Sequence, residues 1–246
     1  MAVVAIGLIG ILVETTVMKL MFRYIRARVT LKVLFYFFLS IILACIAQAE
    51  TGGTIPVGKF SSGGLEGWEE KLFNGKTSYV FVQLGDTTAL KADSKASASG
   101  LVKKITVDIK KYPYLTWRWR VSNRLGQMDE KQKSGDDYAA RIYVVVSGGL
   151  FFWNTKAINY VWSSNLPKGT SWPNAFAGSS ARMYAIRSSD DQLETWYEEK
   201  RNVYEDFRKL FGSEVRYIHV VALMTDTDNS EGKVVSYYGD ITFSQK

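Results

Sequence analysis

Arginine and tyrosine side chains at alternating positions are the first residues in this sequence that could do chemistry. Arg118 and Arg120 share one face of a predicted strand, and Arg141 and Tyr143 share a face of a later one. If these strands are neighbours, their guanidinium groups would meet carboxylates or sugar hydroxyls, and aromatic rings would stack on sugar rings. The predicted ligand-binding residues are Arg118, Arg120, Arg141, Tyr143, Asn159, Trp162 and Arg187. The competing interpretation is an ordinary solvent-facing sheet, with the arginines paired to nearby aspartates.

A short acidic run forms the second candidate site. Asp226, Asp228, Asn229 and Glu231 place carboxylate or amide oxygens close together, and Asp240 would add a ligand if its strand lies beside them. Calcium takes about six to eight oxygen ligands, so these residues predict a structural calcium ion. The run is not an EF-hand, because its glycine falls too late and no bidentate glutamate follows. An Asx-rich turn remains the alternative, since Asp and Asn bond their own backbone.

Catalytic motifs are weak in this chain. The single histidine, His219, lies inside a predicted strand, which favours a hydrogen-bonded structural role over that of a base. Neither a nucleophile elbow nor a glycine-rich phosphate loop occurs in the sequence. A glycoside hydrolase would need a carboxylate pair, for which Glu194, Glu198, Asp136 and Asp137 are available. A polysaccharide lyase would use the arginines and Tyr143 to neutralise and deprotonate a uronate, and this alternative also stays open.

Ten segments of strand-like alternation must position these residues. They cover residues 77–84, 88–92, 100–109, 114–122, 138–147, 157–163, 181–188, 193–200, 217–225 and 234–243. Trp117 and Trp119 alternate with apolar residues, so we expect them in the core. The pattern leaves no room for a helix after each strand, which excludes a parallel α/β fold. It predicts a mainly β fold, a two-sheet antiparallel jelly-roll-like β-sandwich.

One short helix is predicted at about 203–211. Asn202 can cap its start, apolar residues follow at helical spacing, and Gly212 suits its end. Residues 189–191 read as the turn of a hairpin. The segment 166–174 reads as a long loop, in which Trp172 is expected to form an exposed platform.

The first 49 residues predict an export signal. Five basic side chains precede an apolar run at 33–46, and Ala47 and Ala49 form a small-x-small cleavage site. We therefore expect a leader at 1–49, with residues 1–17 preceding the true start, and one mature domain at 50–246 in the periplasm or secreted. An uncleaved anchor and lipidation of Cys45 are the alternatives.

Composition excludes several classes of protein. One cysteine and one histidine exclude a disulfide framework and zinc sites of the Cys/His type. Most of the net charge of +7 belongs to the leader, so no basic footprint for nucleic acid remains. We expect no nucleic-acid partner and no membrane span once the signal is cleaved.

Several long segments resemble a known family. They are GDDYAARIYV at 135–144, FWNTKAINYVW at 152–162, RNVYEDF at 201–207, MTDTDN at 224–229 and YYGDI at 237–241. They are similar to the exported bacterial family called domain of unknown function 3047, which implies no particular activity. A weaker resemblance joins Phe60, Leu65, Trp68, the strand LTWRW and the strand YYGDITF to galactose-binding-type jelly rolls. Many such domains are carbohydrate-binding modules, so this resemblance implies glycan binding.

The sequence thus predicts an exported β-sandwich that binds a glycan or another polar cell-envelope ligand. The first alternative is a polysaccharide lyase or glycoside hydrolase on the same Arg/Tyr face. The second is a structural interaction protein of the envelope, whose Arg/Tyr face would be closed by salt bridges or by loop 164–178.

Overall fold

A computed structural model describes residues 53–149 and 154–246. The predicted leader, its cleavage site and Cys45 lie outside the described residues. The described residues fall in one compact unit, Gly52–Lys246. Within them, no helix is long and apolar enough to cross a membrane.

Thirteen strands, one α-helix and two short 3-10 turns make up the described part of the chain. The strands are β1 (Thr54–Gly58), β2 (Trp68–Asn74), β3 (Ser78–Leu84), β4 (Thr87–Lys95), β5 (Ala98–Asp108), β6 (Tyr114–Val121), β7 (Arg141–Val146), β8 (Lys156–Trp162), β9 (Ser171–Asn174), β10 (Gly178–Arg187), β11 (Tyr197–Asn202), β12 (Tyr217–Asp226) and β13 (Lys233–Ser244). The helix α1 is Val203–Phe211, and the 3-10 turns are Phe60–Ser62 and Lys133–Gly135.

The strands form two sheets that pack face to face. A six-stranded sheet has the order β11-β6-β13-β4-β3, with β1 also paired to β13. A seven-stranded sheet has the order β2-β5-β12-β7-β8-β10-β9. Every pairing is antiparallel except that of β8 with β10. The predicted jelly-roll-like sandwich with one helix is confirmed.

Alternating residues of both sheets form the main core. Trp117 and Trp119 of β6 are fully buried, as predicted, and their rings meet edge to face at 5.4 Å. The Trp117 ring also stacks on Tyr160 of β8 at 5.2 Å, which joins the two sheets. Burial of such large rings is the main source of stability here.

The helix forms as predicted and docks on the sandwich. The side chain of Asn202 accepts a hydrogen bond from the backbone N–H of Glu205 at 3.0 Å, and Gly212 ends the helix with φ of 60°. Asp206 faces inward and accepts a 2.8 Å hydrogen bond from the Tyr160 hydroxyl. A helix this short persists only through such contacts.

The predicted hairpin at 189–191 is wrong. Strand β10 belongs to the seven-stranded sheet and β11 to the six-stranded sheet, so this segment crosses between the sheets. Three strands also escape sequence prediction, namely β1, β2 and β9. They are short or exposed edge elements, and β9 contains a proline, so the alternation that marks a half-buried strand is missing.

A second, smaller hydrophobic cluster lies on the outer face of the seven-stranded sheet. We call it the outer cluster, and it consists of Tyr138, Val161, Trp172, Met183 and Ala185. Val161, Met183 and Ala185 belong to β8 and β10, Trp172 belongs to the edge strand β9 of the same sheet, and Tyr138 comes from the segment before β7. The predicted loop 166–174 therefore ends in the edge strand β9 of this sheet, and Trp172 is buried rather than an exposed platform.

Candidate functional site

A cleft of about 540 Å³ opens on the outer face of the seven-stranded sheet. Its floor is built by side chains that alternate with core residues, Arg141 and Tyr143 on β7 and Asn159 on β8. Met224 and Asp226 of β12 continue the floor on one side. Three predicted ligand residues therefore meet three predicted metal ligands, Asp226, Asp228 and Asn229, in the same cleft.

Tyr143 and Asn159 lie directly opposite each other in the pairing of β7 with β8. The Tyr143 hydroxyl donates to the Met224 sulfur at 3.4 Å, and burial raises the pKa of Tyr143 to about 12. Asn159 is 2% exposed, and its Oδ1 atom has no hydrogen-bond partner among the described residues. Because an unpaired buried acceptor is costly, this atom marks a position where a ligand donor would be favoured.

Arg141 is locked into the wall of the cleft. It is 3% exposed, its Nε donates to Asp226 Oδ1 at 3.0 Å, and its Nη2 atom also contacts the same carboxylate. Nη2 donates to the Asp136 carbonyl at 3.2 Å. The Tyr138 and Tyr143 rings flank the guanidinium at 4.8 and 5.6 Å. Two of the three guanidinium nitrogens are hydrogen-bonded inside the protein and the third lies 3.6 Å from the Asp136 carboxylate, so the charge of Arg141 is paired before any ligand enters.

The acidic run forms one side of the cleft. Carboxylate oxygens of Asp137, Asp226 and Asp228 lie within 4.8 Å of one another. Asp137 is buried and accepts hydrogen bonds from the backbone of Asn229 at 3.1 Å and Ser230 at 2.7 Å, which fixes the turn. Asp228 and Asn229 thereby line the cleft.

Two predicted metal ligands are not brought to this cluster. Glu231 is exposed beyond the turn, with φ of 53°, and Asp240 lies on β13 of the six-stranded sheet. Asp240 accepts hydrogen bonds from the Ser61 backbone and hydroxyl, both at 2.7 Å. Asp137, which sequence spacing could not select, takes their place in the cluster.

The three carboxylates fit an internal cation better than a calcium ion. Both oxygens of Asp226 contact Arg141, and both oxygens of Asp137 accept backbone N–H groups. Only Asp228 keeps accessible coordination capacity, since its one contact is with the Asn74 amide at 3.4 Å. Calcium needs roughly six to eight oxygens, which this cluster does not offer freely.

Two exposed phenylalanines form the rim of the cleft. Phe73 of β2 is 65% exposed and Phe176, between β9 and β10, is 59% exposed. Asn174 fixes the second of them, because its Oδ1 accepts the Phe176 N–H at 3.0 Å while its amide donates to Asp136 at 3.1 Å. Sequence analysis missed both rings. The available signal was weak: each ring lies near an asparagine, in a segment where apolar and polar residues do not alternate.

Arg118 and Arg120 lie far from this cleft in the topology. They project from β6 of the six-stranded sheet, whose neighbours are β11 and β13, whereas β7 belongs to the other sheet. The expectation of one shared Arg/Tyr face is therefore wrong. The set that a lyase would need, with Arg141 and Tyr143 beside these arginines, is not assembled.

Trp162 and Arg187 are also outside the cleft. Trp162 points into the main core and its indole N–H donates to the Ser188 carbonyl at 3.1 Å. Arg187 pairs with Glu199 and lies 3.9 Å from the centre of the Tyr197 ring, so it links β10 of one sheet to β11 of the other. Both side chains serve the fold.

Solved structures similar to this chain include carbohydrate-binding modules of Clostridium thermocellum. The family 11 module of the cellulosomal cellulase Lic26A-Cel5E is 11% identical, with a TM-score of 0.43, over 79% of this chain and 95% of that one. The family 30 module of the cellulosomal cellulase Cel9D-Cel44B is 8% identical, with a TM-score of 0.45, over 79% and 98%. At these scores the likeness carries no argument about function.

Family assignment rests on the sequence itself. No curated protein matches the chain. The family model described as "Protein of unknown function (DUF3047)" matches residues 66–242, which is more than half of the sequence. The protein therefore belongs to this family.

Proposed function

We propose that this protein binds a glycan in the cleft of the seven-stranded sheet. The observation that carries the proposal is the pairing of two exposed rim rings, Phe73 and Phe176, with a polar floor. Ligand sites are typically concave, roughly 300–1,000 Å³, and mostly apolar with a few placed polar groups. The cleft of about 540 Å³ matches that description.

Each part of the cleft has a role in this proposal. The rim rings offer flat apolar surfaces for the C–H face of a sugar ring. Asn159 Oδ1 accepts from a sugar hydroxyl, which removes its own unpaired state. Asp228 and Asn229 offer further acceptors at the side. The buried ion pair of Arg141 with Asp226 in the floor keeps these groups in place.

Binding is favoured over catalysis by the state of the titratable groups. A lyase base must lose a proton near neutral pH, but burial raises the pKa of Tyr143 to about 12. The guanidinium that would neutralise a uronate is already paired with Asp226. These two facts support a binding module.

The proposal is tested by calorimetric titration of the full chain with a panel of neutral, acidic and basic oligosaccharides. We expect saturable binding by at least one of them. Phe73→Ala and Phe176→Ala should each weaken that binding about tenfold, because a stacked ring is lost. The matched control is Leu72→Ala, which removes a side chain that is 60% exposed next to Phe73 but does not line the cleft. Saturation by no oligosaccharide, or equal loss in the control, would reject the proposal.

We also propose that the ligand belongs to the cell envelope and that the chain is exported to the periplasm or secreted. The support is the leader pattern at 1–49. N-terminal sequencing of protein recovered from fractionated cells should begin at Glu50. An intact N-terminus in the cytoplasmic fraction would contradict export.

Calcium at the acidic run stays a prediction; of its predicted ligands Asp226, Asp228 and Asn229 lie at the cleft, and Asp137 lies beside them. Its test is the unfolding midpoint of the full chain with calcium and with EDTA. A midpoint that falls in EDTA, but not in an Asp228→Asn variant, would support a bound ion. An unchanged midpoint would contradict it.

A further inference from the structure

The charged groups lining the cleft are mostly acidic. Asp136, Asp226 and Asp228 line it together with a single cation, Arg141. Arg141 is engaged by Asp226 and by Asp136 through Nε and Nη2, and its Nη1 atom lies 3.6 Å from the Asp136 carboxylate, so its charge is already balanced within the protein. Asp137 lies directly behind, within 4.8 Å of Asp226 and Asp228. A ligand entering this cleft meets a surplus of negative charge.

Two acceptors in the cleft keep unused hydrogen-bonding capacity, and the Asn159 amide nitrogen is a neutral donor beside them. Asn159 Oδ1 is a buried acceptor without a partner, and half-buried Asp228 has only one long contact, 3.4 Å from the Asn74 amide. The donor on the floor, the Tyr143 hydroxyl, is already directed at the Met224 sulfur. A ligand group that donates hydrogen bonds would pair with the two acceptors, and a positively charged donor would also balance the acidic lining.

The rim favours the same kind of group. The Lys133 ammonium lies 5.3 Å from the centre of the Phe176 ring, so this ring already attracts a cation from within the protein. Phe73, on β2, presents a second exposed ring to the cleft and has no cation of its own among the described contacts. An ammonium group on a sugar would therefore gain its attraction at Phe73, because Lys133 already occupies the Phe176 ring.

We propose that the cleft selects glycans that carry amino sugars with a free ammonium group, and that Asp228 and Asn159 receive that group. This inference rests on the proposed glycan-binding function and names its ligand class. It reverses the charge expected from sequence, which had assigned arginines to a carboxylate or uronate ligand. Uronate and phosphate groups would be repelled by Asp228, and the one guanidinium among the described lining residues is already paired with Asp226.

Calorimetric titration of the full chain tests this with four oligosaccharides of equal length, in EDTA so that no divalent cation competes. They are oligomers of glucosamine, N-acetylglucosamine, glucose and glucuronate. We expect the glucosamine oligomer to bind at least about tenfold more tightly than the acetylated one, since acetylation removes a charged hydrogen bond. Its affinity should fall as salt rises. A spermidine titration separates the amino sugar from a free amine.

Asp228→Asn is the informative variant, because it keeps the shape of the side chain and removes its charge. We expect it to weaken glucosamine-oligomer binding about ten- to a hundredfold. Asp190→Asn is the matched control, since Asp190 is exposed, does not line the cleft, and should leave affinity unchanged. Thermal unfolding of each variant confirms that both remain folded.

The outcomes separate this inference from the proposed function. Tight binding of the acetylated, neutral or acidic oligomer instead of glucosamine would overturn the amino-sugar assignment and leave glycan binding standing. Spermidine binding as tightly as the glucosamine oligomer would also overturn it. Binding by none of the four oligomers would count against both.

Discussion

The outer faces of the two sheets carry similar residues, but their arginines differ in burial and in their partners. On the six-stranded sheet, Arg118 lies 4.9 Å from the Trp196 ring, and Arg120 pairs with Glu194 and lies 5.3 Å from the Tyr237 ring. The arginines of this face are half-buried, and neighbouring side chains contact them at the surface. On the seven-stranded sheet the outer cluster covers part of the face, and Arg141 is buried beside it.

The cleft forms on the outer face of the seven-stranded sheet because other parts of the chain cover much of that polar face. Where solvent reaches the face, ion pairs contribute little, although the buried Nε atom of Arg120 has no hydrogen-bond partner among the described residues. Where other parts of the chain cover the face and exclude water, its polar groups must find partners within the protein or stay without hydrogen bonds. Arg141 is paired and Asn159 is not. The cleft lies at the border of the covered region, where unsatisfied groups remain in reach of a ligand.

The largest expected effect compares one arginine from each face. Arg141→Met removes the partner of buried Asp226 and Asp136, so we expect the free energy of unfolding to fall by about 3–5 kcal/mol. Arg118→Met removes a partly exposed cation from the Trp196 ring, so we expect a loss below about 1 kcal/mol. Denaturant unfolding measures both, and similar losses in the two variants would remove the contrast between the faces.

The next largest effect concerns the outer cluster. Trp172→Phe removes the indole N–H that donates to the Glu130 carbonyl at 3.0 Å inside the outer cluster. We expect a loss of about 1–2 kcal/mol, because the buried Glu130 carbonyl keeps only the long 3.5 Å hydrogen bond from the Tyr138 hydroxyl. Trp196→Phe, beside Arg118, is the matched change and should cost less than about 0.5 kcal/mol. A larger loss at Trp196 than at Trp172 would show that the outer cluster does not stabilise this part of the fold.

These contrasts explain how far sequence reasoning could go. Alternation in β6 correctly predicted buried Trp117 and Trp119, because period-two patterning is local. It could not assign Arg118 and Arg141 to different sheets, since sheet membership depends on pairings between distant segments. The rim rings escaped for a related reason. Phe73 and Phe176 form a rim only because the fold brings an edge strand and a distant turn together at the cleft.

The acidic residue beside the outer cluster makes a smaller, pH-dependent prediction. Burial raises the pKa of the Glu130 carboxyl, although hydrogen bonds from Ser163 and Ser164 oppose the shift. A raised pKa in the folded state means that stability is fully present below the unfolded pKa of about 4.3 and is lost as pH rises through the folded value. Relative to a Glu130→Gln variant, the native chain should therefore become less stable from pH 4 towards pH 7. Denaturant unfolding across that range measures the difference.

Two results would contradict this assignment for Glu130. A constant difference between the two proteins at every pH would show that Glu130 does not titrate in the range. A difference of the opposite slope would show that its hydrogen bonds outweigh burial. An Asp190→Asn variant controls for a general charge effect, because Asp190 is exposed on the surface.

The smallest effect on stability is the sharpest test of the comparison. Asn159→Ala removes the buried Oδ1 acceptor that has no partner in the described structure. Loss of packing destabilises the variant and removal of the unpaired acceptor stabilises it, so we expect the free energy of unfolding to change by less than about 1 kcal/mol. Glycan affinity should nevertheless fall about tenfold, because the acceptor for the ligand is gone. Thr116→Ala, on the outer face of β6, should alter neither quantity. A strong loss of stability with unchanged affinity would mean that Asn159 supports the fold, and the covered face would then be closed rather than poised for a ligand.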